Sequence, residues 1–136
     1  MTSMSYRYLI DTERKLVTTV FIGRTSAEES ITAMSEILKD PAYRPGMNAV
    51  TEYSDASGDW SLADLDRLRR FIGSLKEKVG KCYWAVVIPE GRSIASAKLL
   101  VTLHNAFDSD IRIKIFRSQD AAREWIDLRT SVASAQ

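Results

Sequence analysis

The chain has 136 residues, 45% of them apolar and 27% charged, a balance found in globular domains and not in disordered or fibrous chains. Nineteen basic residues against eighteen acidic ones leave a net charge of +1. The basic residues are scattered, so neither a nucleic-acid backbone nor an anionic membrane, both of which need a concentrated positive field, is an expected partner.

In chain order, Tyr6–Ile10 and Lys15–Ile22 are rich in aromatic and β-branched residues, and Asp11-Thr12-Glu13-Arg14 between them reads as the turn of a β-hairpin. Gly23 ends the second strand. Thr25 with Glu28 three residues on has the spacing of a capping box, and Ala27, Ile31, Met34 and Leu38 continue at helical spacing to about Lys39. Asp40-Pro41 stops that helix, because the residue before proline avoids the helical region. After the turn signal Pro45-Gly46, Asn48–Ser54 reads as a short third strand, and Gly58 breaks the chain.

Ser61 with Asp64 is a second capping box, with Trp60 and Leu65 placed to staple across it. Leu62, Leu65, Leu68, Ile72, Leu75 and Val79 then predict one long amphipathic helix ended by Gly80. Tyr83–Ile88 is the most continuously apolar strand, as a central parallel strand covered on both faces should be. Ser93 is placed to cap a helix running to about Phe107, apolar nearly all round and therefore expected to be deeply buried. Ile111–Phe116 alternates as an edge strand with one wet face, and Ser118 opens a last helix through Trp125 and Ile126, with fraying expected from about Thr130.

The resulting order, β-β-α-β-α-β-α-β-α, predicts a single α/β domain over residues 1–136 with a mixed sheet, mostly parallel, in which only the first strand runs antiparallel. Cys82 is the single cysteine and has no partner for an internal disulfide. No apolar run approaches the ~20 residues of a membrane span, and Met1–Ser5 lacks the basic-then-apolar build of a secretory leader. A reducing, cytoplasmic setting is the expectation.

This order, together with Asp40-Pro41-Ala42-Tyr43-Arg44-Pro45-Gly46 and Phe116-Arg117-Ser118-Gln119-Asp120-Ala121-Ala122-Arg123-Glu124-Trp125, resembles the SpoIIAA-like family, whose members share the STAS-like fold of sulfate transporters and anti-sigma-factor antagonists. The resemblance implies strands in sequential order and a non-enzymatic switch that binds partner proteins and is phosphorylated on a serine near the start of the helix after the third strand. The matching stretch, Tyr53-Ser54-Asp55-Ala56-Ser57-Gly58-Asp59-Trp60-Ser61, departs from the antagonist pattern, since Asp59-Trp60 intervene between Ser57-Gly58 and the helix.

Several residues carry possible chemistry. Ser57 and Ser61 are candidates for a phospho-switch, because a phosphate at a helix N-terminus gains from the dipole and free backbone donors; the plain alternative is a cap and a turn. Asp55-x-Ser57-x-Asp59 hints at a calcium loop, but Trp60 and Asp66 stand where such a loop needs glycine and glutamate, so no metal is expected. His104, the one histidine, has no motif tying it to a nucleophile. Gly23-Arg24-Thr25-Ser26 lacks the glycine spacing of a phosphate-binding loop.

Period two places Phe21, Tyr53 and Trp84 on one sheet face. With Trp60 nearby, that face is too apolar to leave wet: either helices or the hairpin cover it internally, or it forms a dimer interface or an apolar ligand pocket. The reading is therefore a non-enzymatic binding or regulatory module without cofactor, expected to be a homodimer. One alternative is a carrier of a small apolar ligand or lipid, with its pocket between the sheet and the helix beginning at Ser61 or Ser93. The second is a small hydrolase-like enzyme using His104 with Ser57, Asp55 or Asp59.

Overall fold

The structure, a computed structural model, describes residues 6–55, 60–89, 95–107 and 110–135. Ser57, Asp59 and the Ser93 cap lie outside the described residues. Strands β1 (Tyr6–Asp11) and β2 (Leu16–Arg24) form the expected hairpin. Asp11 Oδ1 accepts from the Arg14 N–H at 3.0 Å, and Lys15 closes the loop with φ of 55°, a left-handed conformation that a non-glycine residue adopts only when its neighbours enforce it. Strands β3 (Asn48–Asp55), β4 (Cys82–Val87) and β5 (Ile111–Phe116) add in parallel, so the sheet reads β1-β2-β3-β4-β5. The parallel pairing, with only β1 antiparallel, is the arrangement expected from the alternation of strands and helices; the sequential order is the one that the family resemblance implied.

Helix α1 (Ala27–Lys39) starts one residue later than the spacing predicted. Ser26, not Thr25, is the cap, its Oγ accepting from the Glu29 N–H at 3.1 Å. The reason lies just upstream. Gly23 takes φ of 76° at a register shift in β2 and gives its N–H to Ser54 Oγ, while the Thr25 hydroxyl turns back to the Gly23 carbonyl. The first of these bonds also takes up one backbone N–H, that of Gly23, which an anion would need. The buried stripe of α1 is Ala27, Ser30, Ala33 and Ile37, so the longer Met34 and Leu38 stand on its flank. Asp40 ends the helix in the extended conformation proline demands. Its Oδ1 accepts from the Ala42 N–H and its Oδ2 from the Tyr8 hydroxyl, and these two bonds, the backbone one first, hold its carboxyl below the usual carboxylate range.

The single long helix expected from Ser61 to Val79 is instead two: α2 (Leu62–Ser74) and a single turn, α3 (Lys76–Val79). Gly73, a weak helix former, precedes Ser74, whose hydroxyl bonds the Phe71 carbonyl at 2.6 Å, a local bond that competes with helix continuation. Leu75 at the junction keeps helical angles, and both Leu75 and Val79 stay buried against the sheet side. Gly46, with φ of 91°, donates its N–H to the Val79 carbonyl at 2.7 Å and ties the loop after α1 to the end of α3.

Helix α4 (Ala95–Phe107) is not deeply buried: Leu99 is 41% exposed, and Leu100 and Val101 are half-buried. It lies against edge strand β5 instead of over the middle of the sheet, and its last turn shows why. Asn105 Nδ2 donates to the Ile113 carbonyl and its Oδ1 accepts the Ile113 N–H, while His104 Nε2 lies 2.8 Å from the Ile111 carbonyl. Alternate residues of an edge strand point their backbone groups outward. The two side chains of α4 satisfy them as a sixth strand would.

The opposite sheet face is covered by helix α5 (Gln119–Ala135), which runs past the point where fraying was expected. Ala122 and Ile126 pack on Leu16, Val50, Ala85 and Val87, and Trp125 sets its edge on Tyr83 at 5.5 Å. Where α5 does not reach, Leu9 and Ile22 remain exposed.

Candidate functional site

The face that carries Phe21, Tyr53 and Trp84 is covered by residues of α1, α2, α3 and α4, which leaves Phe21 and Tyr53 buried and Trp84 half-buried. Register builds it in rungs. Tyr6, Phe21 and Tyr53 share one, Tyr8, Thr19, Thr51 and Val86 the next, and Ile10, Val17, Ala49 and Trp84 the one after. At the first rung packing is tight. Phe21 and Tyr53 stack at 4.9 Å with their planes 8° apart, Trp60 meets Tyr53 edge-on at 5.9 Å, and Trp60 Nε1 donates to the Thr25 carbonyl. The small Ser30 lets α1 come close, and its Oγ lies 3.0 Å from the Tyr53 hydroxyl in the buried interior. Burial pushes the Tyr53 phenol up to about 12, against the partial counter-effect of that hydrogen bond.

Packing does not stay tight down the sheet. Below the aromatic stack a partly open cavity of about 90 Å³ separates the sheet from the helices. Its floor is Val17, Thr19, Ala49, Thr51 and Trp84, and its roof is Ala33, Met34 and Leu38 of α1 with Ile72 of α2 and Leu75 at the junction after it. Phe21 closes one end, and Tyr43, Met47, Val79, Cys82 and Ile111 close the other. The local sequence explains the space. Ala49 stands in the middle of the sheet between Val17 and Trp84, where a branched residue would ordinarily fill the layer. Ala33, also small, lines the same space from α1.

The wall is almost wholly apolar. Its polar groups are the hydroxyls of Thr19, Thr51 and Tyr43, the Cys82 thiol and the Trp84 indole. Trp84 Nε1 donates to Thr51 Oγ1 at 2.8 Å. Tyr43 is held neutral far into the alkaline range, its phenol pushed up to about 12 chiefly by burial and secondly by the nearby Cys82. Among the described residues, no aspartate, glutamate, lysine, arginine or histidine lines this space.

Of the four aromatic residues expected to form an interface or pocket, Phe21 and Trp84 line the cavity, and Tyr53 and Trp60 form the packed stack beside it. Ser61 is a structural cap, its Oγ accepting from the Asp64 N–H while the Asp64 carboxylate takes the Ser61 N–H. Ser57 falls outside the described residues, as do Asp59 and the Asp55 side chain. His104 is buried with Nε2 on the Ile111 carbonyl; a carbonyl only accepts, so Nε2 carries a proton. Sequence reasoning missed the threonines and Ala49. Their signal was two polar residues and one undersized residue at inward positions of otherwise apolar strands.

Among the described residues, no group of three or more His, Cys, Asp or Glu side chains is placed to hold a metal ion. No helix there is long and apolar enough to cross a membrane. Compared with known proteins, the chain matches no family model, no curated protein and no solved structure.

Proposed function

We propose that this protein is a non-enzymatic binding module that takes a small apolar molecule, or the apolar end of a larger one, between its sheet and helices α1 and α2. The observation that carries the reading is the cavity itself. Protein interiors pack as densely as organic crystals, and voids larger than a water are few. A cavity of about 90 Å³, less than the ~150 Å³ that admits benzene but partly open, therefore has a use or a cost. With apolar walls it is a poor home for water, which needs several polar partners.

The switch implied by the SpoIIAA-like resemblance is compatible with this reading, since an occupant that spreads α1 and α2 changes the surface those helices present. The face that motivated a homodimer lies under helices, so the proposal does not depend on dimerisation. The test is an NMR titration with hexane, following the methyl groups of Val17, Ala33, Ala49 and Ile72. Saturable shifts confined to these residues support the reading. Unchanged methyl spectra, with no co-purifying ligand in native mass spectrometry, overturn it.

A further inference from the structure

Thr19 is an anomaly within the cavity floor. It is 3% exposed and sits on β2 between Val17 and Phe21, both buried and apolar. Among the described residues its hydroxyl has no hydrogen-bond partner. Yet among the described residues no fully enclosed side-chain oxygen or nitrogen goes without a partner, so the Thr19 hydroxyl opens onto the cavity it lines. A hydroxyl that meets only an apolar space gains nothing there over valine, which fills about the same volume. The residue beside it is of the same kind. Thr51 pairs with Thr19 across β2 and β3 and lines the same floor, which places the two side chains about 5 Å apart. Thr51 Oγ1 already accepts from the Trp84 indole, which leaves its own proton to donate.

Resting on the binding reading above, the geometry points to a polar anchor on the cavity floor, in which Thr19 and Thr51 select a neutral amphiphile: a short apolar body ending in an uncharged hydrogen-bonding head such as an alcohol or carbonyl. Thr19 can both donate and accept, and Thr51 donates, so one oxygen placed between them receives up to two hydrogen bonds. A carboxylate or ammonium head is disfavoured. Among the described residues no carboxylate, ammonium, guanidinium or imidazole lines the wall, and an unpaired charge in such surroundings carries a desolvation penalty that two hydroxyls do not offset. The apolar body lies against Met34, Leu38 and Ile72, whose flexible methionine adapts to its shape.

The experiment compares 1-hexanol, hexane and hexanoate at pH 7 by NMR titration of the wild-type protein, Thr19→Val and Thr19→Ser. The anchor predicts that Thr19→Val weakens 1-hexanol about 3- to 10-fold, the worth of one hydrogen bond, while hexane binds as before. Thr19→Ser, which keeps the hydroxyl, should hold 1-hexanol near its wild-type affinity, and hexanoate should bind the wild type more weakly than 1-hexanol. If Thr19→Val leaves 1-hexanol unchanged while hexane still binds, the anchor is refuted and the apolar cavity stands. Tighter binding of hexanoate than of 1-hexanol likewise refutes selection of a neutral head. If neither hexane nor 1-hexanol binds the wild type, the binding reading falls and the anchor with it.

Discussion

Ala49→Ile tests whether the space above the sheet is truly empty. A dry cavity costs roughly 24 cal/mol per Å³, so the 90 Å³ above Ala49 corresponds to about 2 kcal/mol of forgone stability. Isoleucine adds three carbons, worth ~0.8 kcal/mol each when buried, less about 0.5–1 kcal/mol for ordering the longer side chain. The two routes give a stabilisation of about 1.5–2 kcal/mol, or roughly 0.5–2 M in the urea midpoint at unchanged slope. The β-branched side chain also suits a strand position between Val17 and Trp84. Filling the space must at the same time remove hexane binding. The ordinary outcome for enlarging an inward-facing alanine is the reverse, a loss of about 1–3 kcal/mol from overpacking. A lowered midpoint with binding intact would show that Ala49 does not face the void, and the account of the site would fail.

Three further outcomes follow from individual contacts. Tyr53→Phe leaves the Ser30 hydroxyl buried without its partner and should cost about 1–3 kcal/mol; Ser30→Ala in the same chain should recover much of it, measured as a double-mutant cycle in urea. Asn105→Ala uncovers the Ile113 N–H and carbonyl on β5, which should cost about 1–2 kcal/mol and raise self-association in light scattering, because a freed strand edge is a template for pairing. In a spectrophotometric titration at 295 nm, Tyr43 and Tyr53 should ionise near pH 12 and not near 10. Since their phenols titrate higher in the folded than in the unfolded chain, the stability they contribute is complete below pH 10 and is lost as the pH rises from there to about 12. Both residues titrating near 10 in the folded protein would contradict their burial.

Element order and pairing sense were legible in the sequence because hydrophobic period and connection length are local signals: Ile111–Phe116 alternates, Tyr83–Ile88 does not, and each parallel connection contains a helix, whereas the order of the strands across the sheet came from the family resemblance alone. The misreadings arose where a tertiary contact overruled a local one. Thr25 and Glu28 have the spacing of a cap, but Thr25 is engaged with the Gly23 carbonyl and the cap shifts to Ser26. The heptad-like run from Leu62 to Val79 hides a break at Gly73-Ser74. Helix α4 is apolar all round in sequence and still half-exposed, since its position is set by Asn105 and His104 reaching the edge of β5, a contact no periodicity records. The aromatic side of the site was visible as Phe21, Tyr53, Trp60 and Trp84. The cavity was not, because emptiness is a property of how layers meet, and Ala49 is an unremarkable residue until Val17 and Trp84 are seen on either side of it.

The aromatic stack and the cavity depend on each other. Tyr6, Phe21, Tyr53 and Trp60 fill one end of the interlayer space with rigid rings, and the Tyr6 and Tyr8 hydroxyls reach across to Glu36 and Asp40 of α1. Together with the Gly46–Val79 bond at the other end, these contacts hold the helices at both margins of the sheet, so the gap over Ala49 cannot close by a simple collapse of α1. A roof propped at its ends but not its centre keeps its void at little cost in order elsewhere. Loosening one prop, as Tyr8→Phe would by freeing Asp40, should therefore shrink the cavity and weaken hexane while leaving the sheet intact. A variant that bound hexane as well as the wild type would show that the void is maintained by the shapes of Ala33 and Ala49 alone.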